Sequence, residues 1–210
     1  MKVISFYTEG DEKNYYKQCA DRLIRDCDKY QIDLDLVKKE SLGSYRENCL
    51  SKPKFILDKL NEYKTPLVWI DVDTVFRNKP DHFYAEALIN IDLAFSSSNP
   101  NLTGMKASPL YFNYNELSKL FLEDWIQVCT DVLENMDINF DHESLFGMVT
   151  KHSDTMQYGV FPPEYCVWPG QSNEDTVIEM GLSDISDKIE VLKKMGIDGD
   201  LLAIQTIGIL

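Results

Sequence analysis

LVWIDVDTVF, at residues 67–76, joins an apolar run of strand length to two carboxylates that are one residue apart. Side chains alternate along a β-strand with a period of two, so Asp71 and Asp73 are predicted to leave the backbone on the same side. In open α/β sheets, ligands collect outside the carboxyl ends of the strands, which is where this pair falls. Two hard oxygen ligands at such a position suit Mg²⁺ or Mn²⁺, usually alongside the phosphates of a substrate. The alternative is a solvated acidic turn, which is common in a chain with 35 acidic residues.

Strands and helices alternate before this stretch. β-rich runs occur at residues 3–7 and 32–37, and apolar residues at helical spacing cover 14–30 and a segment that Ser51 is predicted to cap. The order β-α-β-α-β is typical of a parallel sheet with helices packed on its faces. The sequence therefore predicts an α/β fold.

The second half of the chain extends this pattern. It predicts a helix over 81–89, strands over 91–95 and 107–112, a long helix over 116–135 and a helix that Asp141 caps. The apolar stripe of the long helix is predicted to face the core, and it consists of Leu117, Leu120, Phe121, Trp125, Val128, Cys129, Val132 and Leu133. A last helix is predicted from the spacing of Ile185, Ile189, Leu192 and Met195. Residues 1–210 contain no repeat or linker and are predicted to form one domain, and their apolar end predicts that it was cut from a longer protein.

The composition argues against several classes of partner. A formal net charge of −14 disfavours a nucleic-acid-binding surface, because phosphate neutralisation needs clustered Lys and Arg. No apolar run approaches the length of a transmembrane segment. The five cysteines are odd in number and form no CxxC pair, so they are predicted to be reduced and buried, as is typical of a cytoplasmic protein.

The strand order and the Asp-x-Asp pattern together resemble the GT-A glycosyltransferases. Three later segments also resemble elements of that family: ASPLYFN at 107–113, DHESL at 141–145 and FPPEY at 161–165. The resemblance covers about residues 2–170. It implies a Rossmann-like GT-A fold with a mixed, mainly parallel central sheet flanked by helices. It also implies a hexosyl- or deoxyhexosyltransferase that uses Mn²⁺ or Mg²⁺, a nucleotide-diphosphate sugar such as a UDP-sugar, and a glycan or glycoprotein acceptor.

The same resemblance assigns roles to particular residues. It implies that Asp73 binds the metal directly, and that Asp71 meets the donor ribose or reaches the metal through water. The expected donor-binding residues are Tyr7, Thr8, Arg46, Lys54, Asp71, Ala107 and Ser108. Asp141 is the candidate base that deprotonates the acceptor, although its position equally suits a helix N-cap.

Two departures from the family pattern affect these expectations. The Asn-x-Gly that usually precedes the sugar-facing strand is replaced by Ala107-Ser108-Pro109. No His-x-x-Gly-x-x-Lys-Pro segment follows residue 170. Relatives take a third metal ligand and a pyrophosphate-binding Lys from that segment, so the sequence leaves both roles unassigned.

Two other functions remain open from the sequence. An apolar strand followed by Asp-x-Asp also resembles the first motif of haloacid dehalogenase-like phosphatases, in which Asp71 would be the nucleophile and Asp73 the acid/base. The remaining residues of that site would come from Lys106 or Lys151 and from Asp198 and Asp200. The complete β-α-β-α unit before residue 67 argues against this reading, because that motif normally lies on the first strand. The second alternative is a non-catalytic domain that binds a nucleotide sugar without turnover.

Overall fold

A mixed β-sheet of six strands organises the part of the chain described by the computed structural model, which comprises residues 1–9, 14–97, 104–135 and 141–181 with residues 193 and 196. The strands are β1 (Lys2–Thr8), β2 (Leu34–Lys39), β3 (Leu67–Trp69), β4 (Val75–Phe76), β5 (Leu93–Ser97), β6 (Met105–Phe112), β7 (Tyr158–Val160) and β8 (Ile178–Glu179). The helices are α1 (Tyr15–Tyr30), α2 (Tyr45–Leu50), α3 (Lys52–Tyr63), α4 (Glu116–Asn135) and α5 (Asp141–Lys151). The sheet has the order β2-β1-β3-β6-β5-β7, and β4 pairs with β8 outside it.

The sheet is mainly parallel. Strands β2, β1 and β3 run parallel to one another, as do β5 and β7, whereas β6 runs antiparallel to both β3 and β5. The carboxyl ends of β1 and β3 therefore meet the amino end of β6 along one edge of the sheet. This arrangement confirms the predicted α/β fold with its mixed, mainly parallel sheet.

The core has two parts, one on each face of the sheet. Ile4 and Trp69 point to the face covered by α3, α4 and α5, while Val3 and Val68 point to the face covered by α1. Adjacent residues of one strand thus enter opposite clusters, as the two-residue period of a strand requires. All five cysteines carry free thiols, and four of them are buried as the sequence predicts.

Three local predictions need correction. Residues 81–89 form two 3₁₀ turns, Asp81–Tyr84 and Glu86–Leu88, because Ala85 between them has an extended backbone. Ser51 occupies the predicted N-cap position of α3, but its hydroxyl makes no capping hydrogen bond and donates instead to the carbonyl oxygen of Asn48 in the preceding helix. Leu117 and Leu120 are exposed, whereas Phe121 and Trp125 of the same stripe are fully buried.

Two further predictions concern membrane-spanning segments and the last helix. Within the described ranges, no helix combines the length and apolar character needed to cross a bilayer. The predicted helix containing Ile185, Ile189, Leu192 and Met195 lies outside the described residues.

Candidate active site

A cleft of about 690 Å³ lies at the edge where β1 and β3 end and β6 begins. Its volume falls in the range typical of sites for small organic ligands and cofactors. The end of β1, the turn after β3, the start of β6 and the first turn of α5 all contribute side chains to it. The opposite rim comes from α2 and the loop before it, and from the segment around Trp168.

Lys52, at the start of α3, lies between two carboxylates in this cleft. Its Nζ is 2.8 Å from Oδ1 of Asp71, forms an ion pair with Oδ2 of Asp141 and donates to the carbonyl oxygen of Ala107 at 3.0 Å. An ammonium group has three protons, so these acceptors use its full donor capacity. The side chain is 4% exposed, and Nζ lies 5.2 Å from the ring centre of Trp69. Burial opposes the charged form, but the two carboxylates outweigh it and hold the pKa of Lys52 well above its usual range.

Asp71 is held by residues of two strands, β3 and β6. Its backbone N–H donates to Oγ of Ser108 at 2.9 Å, and Nε1 of Trp69 donates to its Oδ1 at 3.0 Å. The side chain is 41% exposed toward the cleft. Burial of the carboxylate raises its pKa and the neighbouring charges of Asp141 and Asp73 raise it further, while Lys52 acts in the opposite direction.

Asp73 lies in a turn rather than on a strand. Strand β3 ends at Trp69, and the N–H of Thr74 donates to the carbonyl oxygen of Asp71 at 3.0 Å. The prediction that strand alternation places Asp71 and Asp73 on the same side is therefore wrong, because both residues follow the end of β3. Both nevertheless line the cleft. Arg22 of α1 holds the turn from below, because its Nη2 donates to the carbonyl oxygens of Asp73 at 2.8 Å and Thr74 at 3.0 Å.

The carboxylate of Asp73 is buried against the backbone of Gly181. A Cβ on Gly181 would lie 2.0 Å from Cγ of Asp73 and 2.2 Å from its Oδ2. This Oδ2 is buried and has no hydrogen-bond partner in the part of the chain that the structure describes. A buried carboxylate oxygen without a donor is unstable unless a cation or a proton joins it.

Asp141 is the first residue of α5, and its side chain is 12% exposed. Burial raises its pKa, but the ammonium group of Lys52 outweighs burial and holds the pKa well below the usual range. The N–H of His142 also donates to Oδ1 of Asp141 at 3.1 Å. Asp141 is therefore an ionised carboxylate that is committed to an ion pair.

The remaining predicted residues divide into two groups. Tyr7, Thr8, Ala107 and Ser108 line the cleft, so the structure brings them together with Asp71, Asp73 and Asp141. Lys54 does not, because its side chain is 68% exposed and its Nζ pairs with Asp58 at 3.0 Å. Arg46 points elsewhere too, since its Nη2 donates to the carbonyl oxygen of Val132 at 2.6 Å.

The positive charge that the sequence analysis expects from Lys54 is therefore supplied to the cleft by Lys52. Two residues along a helix correspond to a rotation of about 200°, so Lys52 and Lys54 leave α3 on opposite sides. The contact of Arg46 joins α2 to α4, and among the described residues no arginine lines the cleft. Sequence reasoning also missed His142, Trp168 and Gly181 as residues that line the cleft.

Known structures share this fold. Over 98% of this chain and 98% of that one, it is similar to a glycosyltransferase involved in the glycosylation of the major capsid of PBCV-1, with a TM-score of 0.66 and 10% identity. The fold is a glycosyltransferase fold. The chain is also similar to apo GlyE from Streptococcus pneumoniae TIGR4, with a TM-score of 0.58, 14% identity and 97% of this chain on 62% of that one. Mouse xyloside xylosyltransferase 1 gives a TM-score of 0.54 with 9% identity, covering 86% of this chain and 97% of that one.

Sequence comparison is less informative. No family model and no curated protein sequence matches the chain. We also expect the sequence to resemble the amino-terminal glycosyltransferase domain of a chlorella-virus capsid-glycosylating protein, and the similarity to the PBCV-1 capsid glycosyltransferase agrees with that expectation.

The residues expected for the phosphatase alternative are scattered. Lys106 lies on the rim of the cleft, with its Nζ 5.3 Å from the ring centre of Trp168. Lys151 pairs with Asp124 at 2.6 Å and does not line the cleft. Asp198 and Asp200 lie outside the described residues.

Proposed function

We propose that this protein is a glycosyltransferase that transfers a hexosyl or deoxyhexosyl group from a nucleotide-diphosphate sugar to a glycan or a protein-linked acceptor. The observation that carries the proposal is a cleft with a carboxylate pair and a buried Lys–Asp ion pair, located at the carboxyl edge of a glycosyltransferase fold. The preferred donor is a UDP-sugar. In this proposal Tyr7 and Thr8 contact the base or ribose, and Ala107 and Ser108 lie beside the donor sugar.

The charge of the cleft supports a divalent cation as part of the donor complex. The charged side chains that line it are Glu9, Asp71, Asp73 and Asp141, against Lys52 and Lys106. A nucleoside diphosphate adds further negative charge to this excess of carboxylates, so its binding needs a counter-ion. An ion held by Asp71 and Asp73 meets that need.

The donor set fits Mg²⁺ or Mn²⁺ completed by phosphate oxygens. Within residues 1–9, 14–97, 104–135 and 141–181, no cluster of three or more His, Cys, Asp or Glu side chains could hold an ion alone. Mg²⁺ commonly binds through one or two carboxylates plus substrate phosphates and water, so Asp71 and Asp73 suffice when the donor is present. The Oδ2 of Asp73 has no hydrogen-bond partner among the described residues, which favours a nearby cation. When bound, such an ion would stabilise the charge that develops on the leaving nucleoside diphosphate.

A thermal-shift panel tests the proposal. The panel contains UDP, GDP, ADP and their sugars, each with Mn²⁺, Mg²⁺ or EDTA. One nucleotide is expected to raise the melting temperature only in the presence of a divalent cation. At 100 times its dissociation constant the ligand adds about 2.7 kcal/mol, and each kcal/mol corresponds to about 2–4 °C for a chain of this size.

Asp73→Asn is expected to remove this metal-dependent shift. The substitution preserves the shape of the side chain but removes the charge that favours the ion. Asp58→Asn is the matched control, because Asp58 is exposed and pairs with Lys54 on the surface of α3. Binding that EDTA does not affect, or equal binding by Asp73→Asn and the wild-type protein, would contradict the proposed metal dependence. A panel without any shift, combined with stabilisation by Mg²⁺ and beryllofluoride, would favour the phosphatase instead.

A further inference from the structure

We propose that His142, rather than Asp141, takes the proton from the acceptor hydroxyl group. This inference rests on the proposed glycosyltransferase function and deepens it, because it assigns the acid–base step to one of two adjacent residues. It follows from the contacts that each side chain makes in the cleft.

Asp141 is poorly suited to removing a proton. One of its oxygens is paired with Lys52, and the other accepts the backbone N–H of His142 at 3.1 Å. A carboxylate stabilised in this way has little affinity for a proton, and general-base efficiency falls as the base becomes weaker. The contacts of Asp141 instead suit a role in holding Lys52 and the first turn of α5.

His142 has the accessibility that Asp141 lacks. Its side chain is 45% exposed and lines the cleft next to Asp141. Its Nε2 lies 2.8 Å from Oε1 of Glu143. An ionised carboxylate can only accept a hydrogen bond, so this contact places the ring proton on Nε2 and leaves the lone pair on Nδ1.

The Nδ1 atom that carries the lone pair lies beside the carboxylate of Asp141. Nδ1 is 3.7 Å from Oδ1 of Asp141, which is too far for a hydrogen bond between them. An oxygen atom can lie within about 2.8 Å of both atoms at this separation. A hydroxyl group there has two acceptors within reach, and its proton goes to Nδ1 because Lys52 stabilises Asp141 in its ionised form.

The charged surroundings support this transfer. On α5 the ring is flanked by Asp141 and Glu143. Beyond Asp141 lies Lys52 of α3, which also pairs with Asp71 of the turn after β3. The two carboxylates stabilise the positive charge that the ring acquires when it takes a proton. Lys52 pairs with Oδ2 of Asp141, whereas the ring lies beside Oδ1.

The step is a single displacement at the anomeric carbon of the donor. The acceptor oxygen forms a bond to this carbon while the bond from the carbon to the diphosphate oxygen breaks. The bonding electron pair leaves with the nucleoside diphosphate. The hydroxyl proton moves to Nδ1 of His142, which later returns it to solvent, and the anomeric configuration is inverted.

The experiment measures turnover of the donor chosen by the thermal-shift panel, with water as the acceptor, from pH 5 to pH 9. His142→Gln is expected to lower kcat by about 10²- to 10⁴-fold and to change the shape of the pH–rate profile. Its metal-dependent thermal shift with the nucleotide should stay at the wild-type value. His82→Gln is the matched control, because the ring of His82 packs against Phe161 and Tyr165 outside the cleft.

Azide separates a base from a residue that only maintains structure. Azide is a nucleophile that needs no deprotonation, so adding it should restore turnover to His142→Gln and yield a glycosyl azide of inverted configuration. Rescue of Asp141→Asn but not of His142→Gln would overturn the proposal, as would a His142→Gln variant with the wild-type rate and pH profile. These outcomes differ from failure of the proposed function itself, in which wild-type protein shows no metal-dependent nucleotide shift.

Discussion

Lys52→Met is expected to lower the free energy of unfolding by about 3 kcal/mol, the low end of the range for removing one partner of a buried ion pair. The variant leaves Asp71 and Asp141 in the cleft without their shared cation, and the carbonyl group of Ala107 without its donor. The low end applies because Asp71 faces the open cleft and remains partly solvated. Urea unfolding at pH 7, followed by tryptophan fluorescence, measures the change.

The loss should become smaller as the pH falls. In the wild-type protein the pKa of Asp141 is held below its unfolded value of about 3.9, so its stabilising contribution is present above that value and is lost as pH falls through the folded pKa. In Lys52→Met no cation lowers the carboxylate pKa values, so protonation relieves the repulsion at higher pH. The difference in unfolding free energy between the wild-type protein and Lys52→Met should therefore be smaller at pH 5 than at pH 7, and smaller again at pH 4.

Lys54→Met is the matched control on the same helix. Its ammonium group is exposed and pairs with Asp58 at i+4, so its removal should change stability by less than about 0.5 kcal/mol. Adding Asp141→Leu to Lys52→Met should recover part of the lost stability, because an apolar pair replaces an unpaired charge. An equal effect of the two lysine variants would mean that the ion pair does not hold this side of the cleft together.

The position of Lys52 shows what the sequence could have revealed about the site. Lys52, Phe55 and Ile56 follow the i, i+3, i+4 spacing of a single helix face, and all three are buried. Lys54 falls on the opposite face. Helical phase alone therefore favours Lys52 over Lys54 as the residue that points inward. The family resemblance instead favoured Lys54, which does not line the cleft.

Helix α2 had a readable signal as well. Ser44 caps α2, since its Oγ accepts the N–H of Glu47 at 3.1 Å and donates to the carboxylate of Glu47 at 2.7 Å. The Ser-x-x-Glu pattern is visible in the sequence at residues 44–47. Recognising it would have predicted the short helix that forms the rim of the cleft and ends where α3 begins.

Contacts between distant parts of the chain had no such signal. The period-two and helical patterns depend only on neighbouring residues, so they predicted β1, α1, β2, α3, β3 and α4 in the right order but missed α2. The pairing of Lys52 with Asp141 depends on how α3 and α5 are placed on the same face of the sheet, and no local pattern encodes it. The same holds for Gly181, whose role depends on its approach to Asp73.

Gly181→Ala is expected to weaken metal-dependent nucleotide binding by about 10- to 100-fold, the range for residues that position metal ligands. The added Cβ would lie 2.0 Å from Cγ and 2.5 Å from Cβ of Asp73, so rotating the end of the carboxylate cannot relieve the overlap. Either the turn at Asp73 or the backbone at residue 181 must move. Arg22 holds the turn through two carbonyl oxygens, so the strain falls on the carboxylate that is proposed to bind the ion.

Gly147→Ala separates this effect from the general consequence of replacing a glycine. Gly147 lies in α5, where an added Cβ meets no atom within 4 Å, so alanine should raise stability by about 0.5–1 kcal/mol and leave binding unchanged. Titrating Mn²⁺ into each variant at saturating nucleotide, with melting temperature as the readout, gives the apparent metal affinities. If Gly181→Ala binds Mn²⁺ with wild-type affinity, the close packing of Asp73 on residue 181 does not position a metal ligand, because the proposed geometry cannot persist with a Cβ 2.0 Å from Cγ of Asp73.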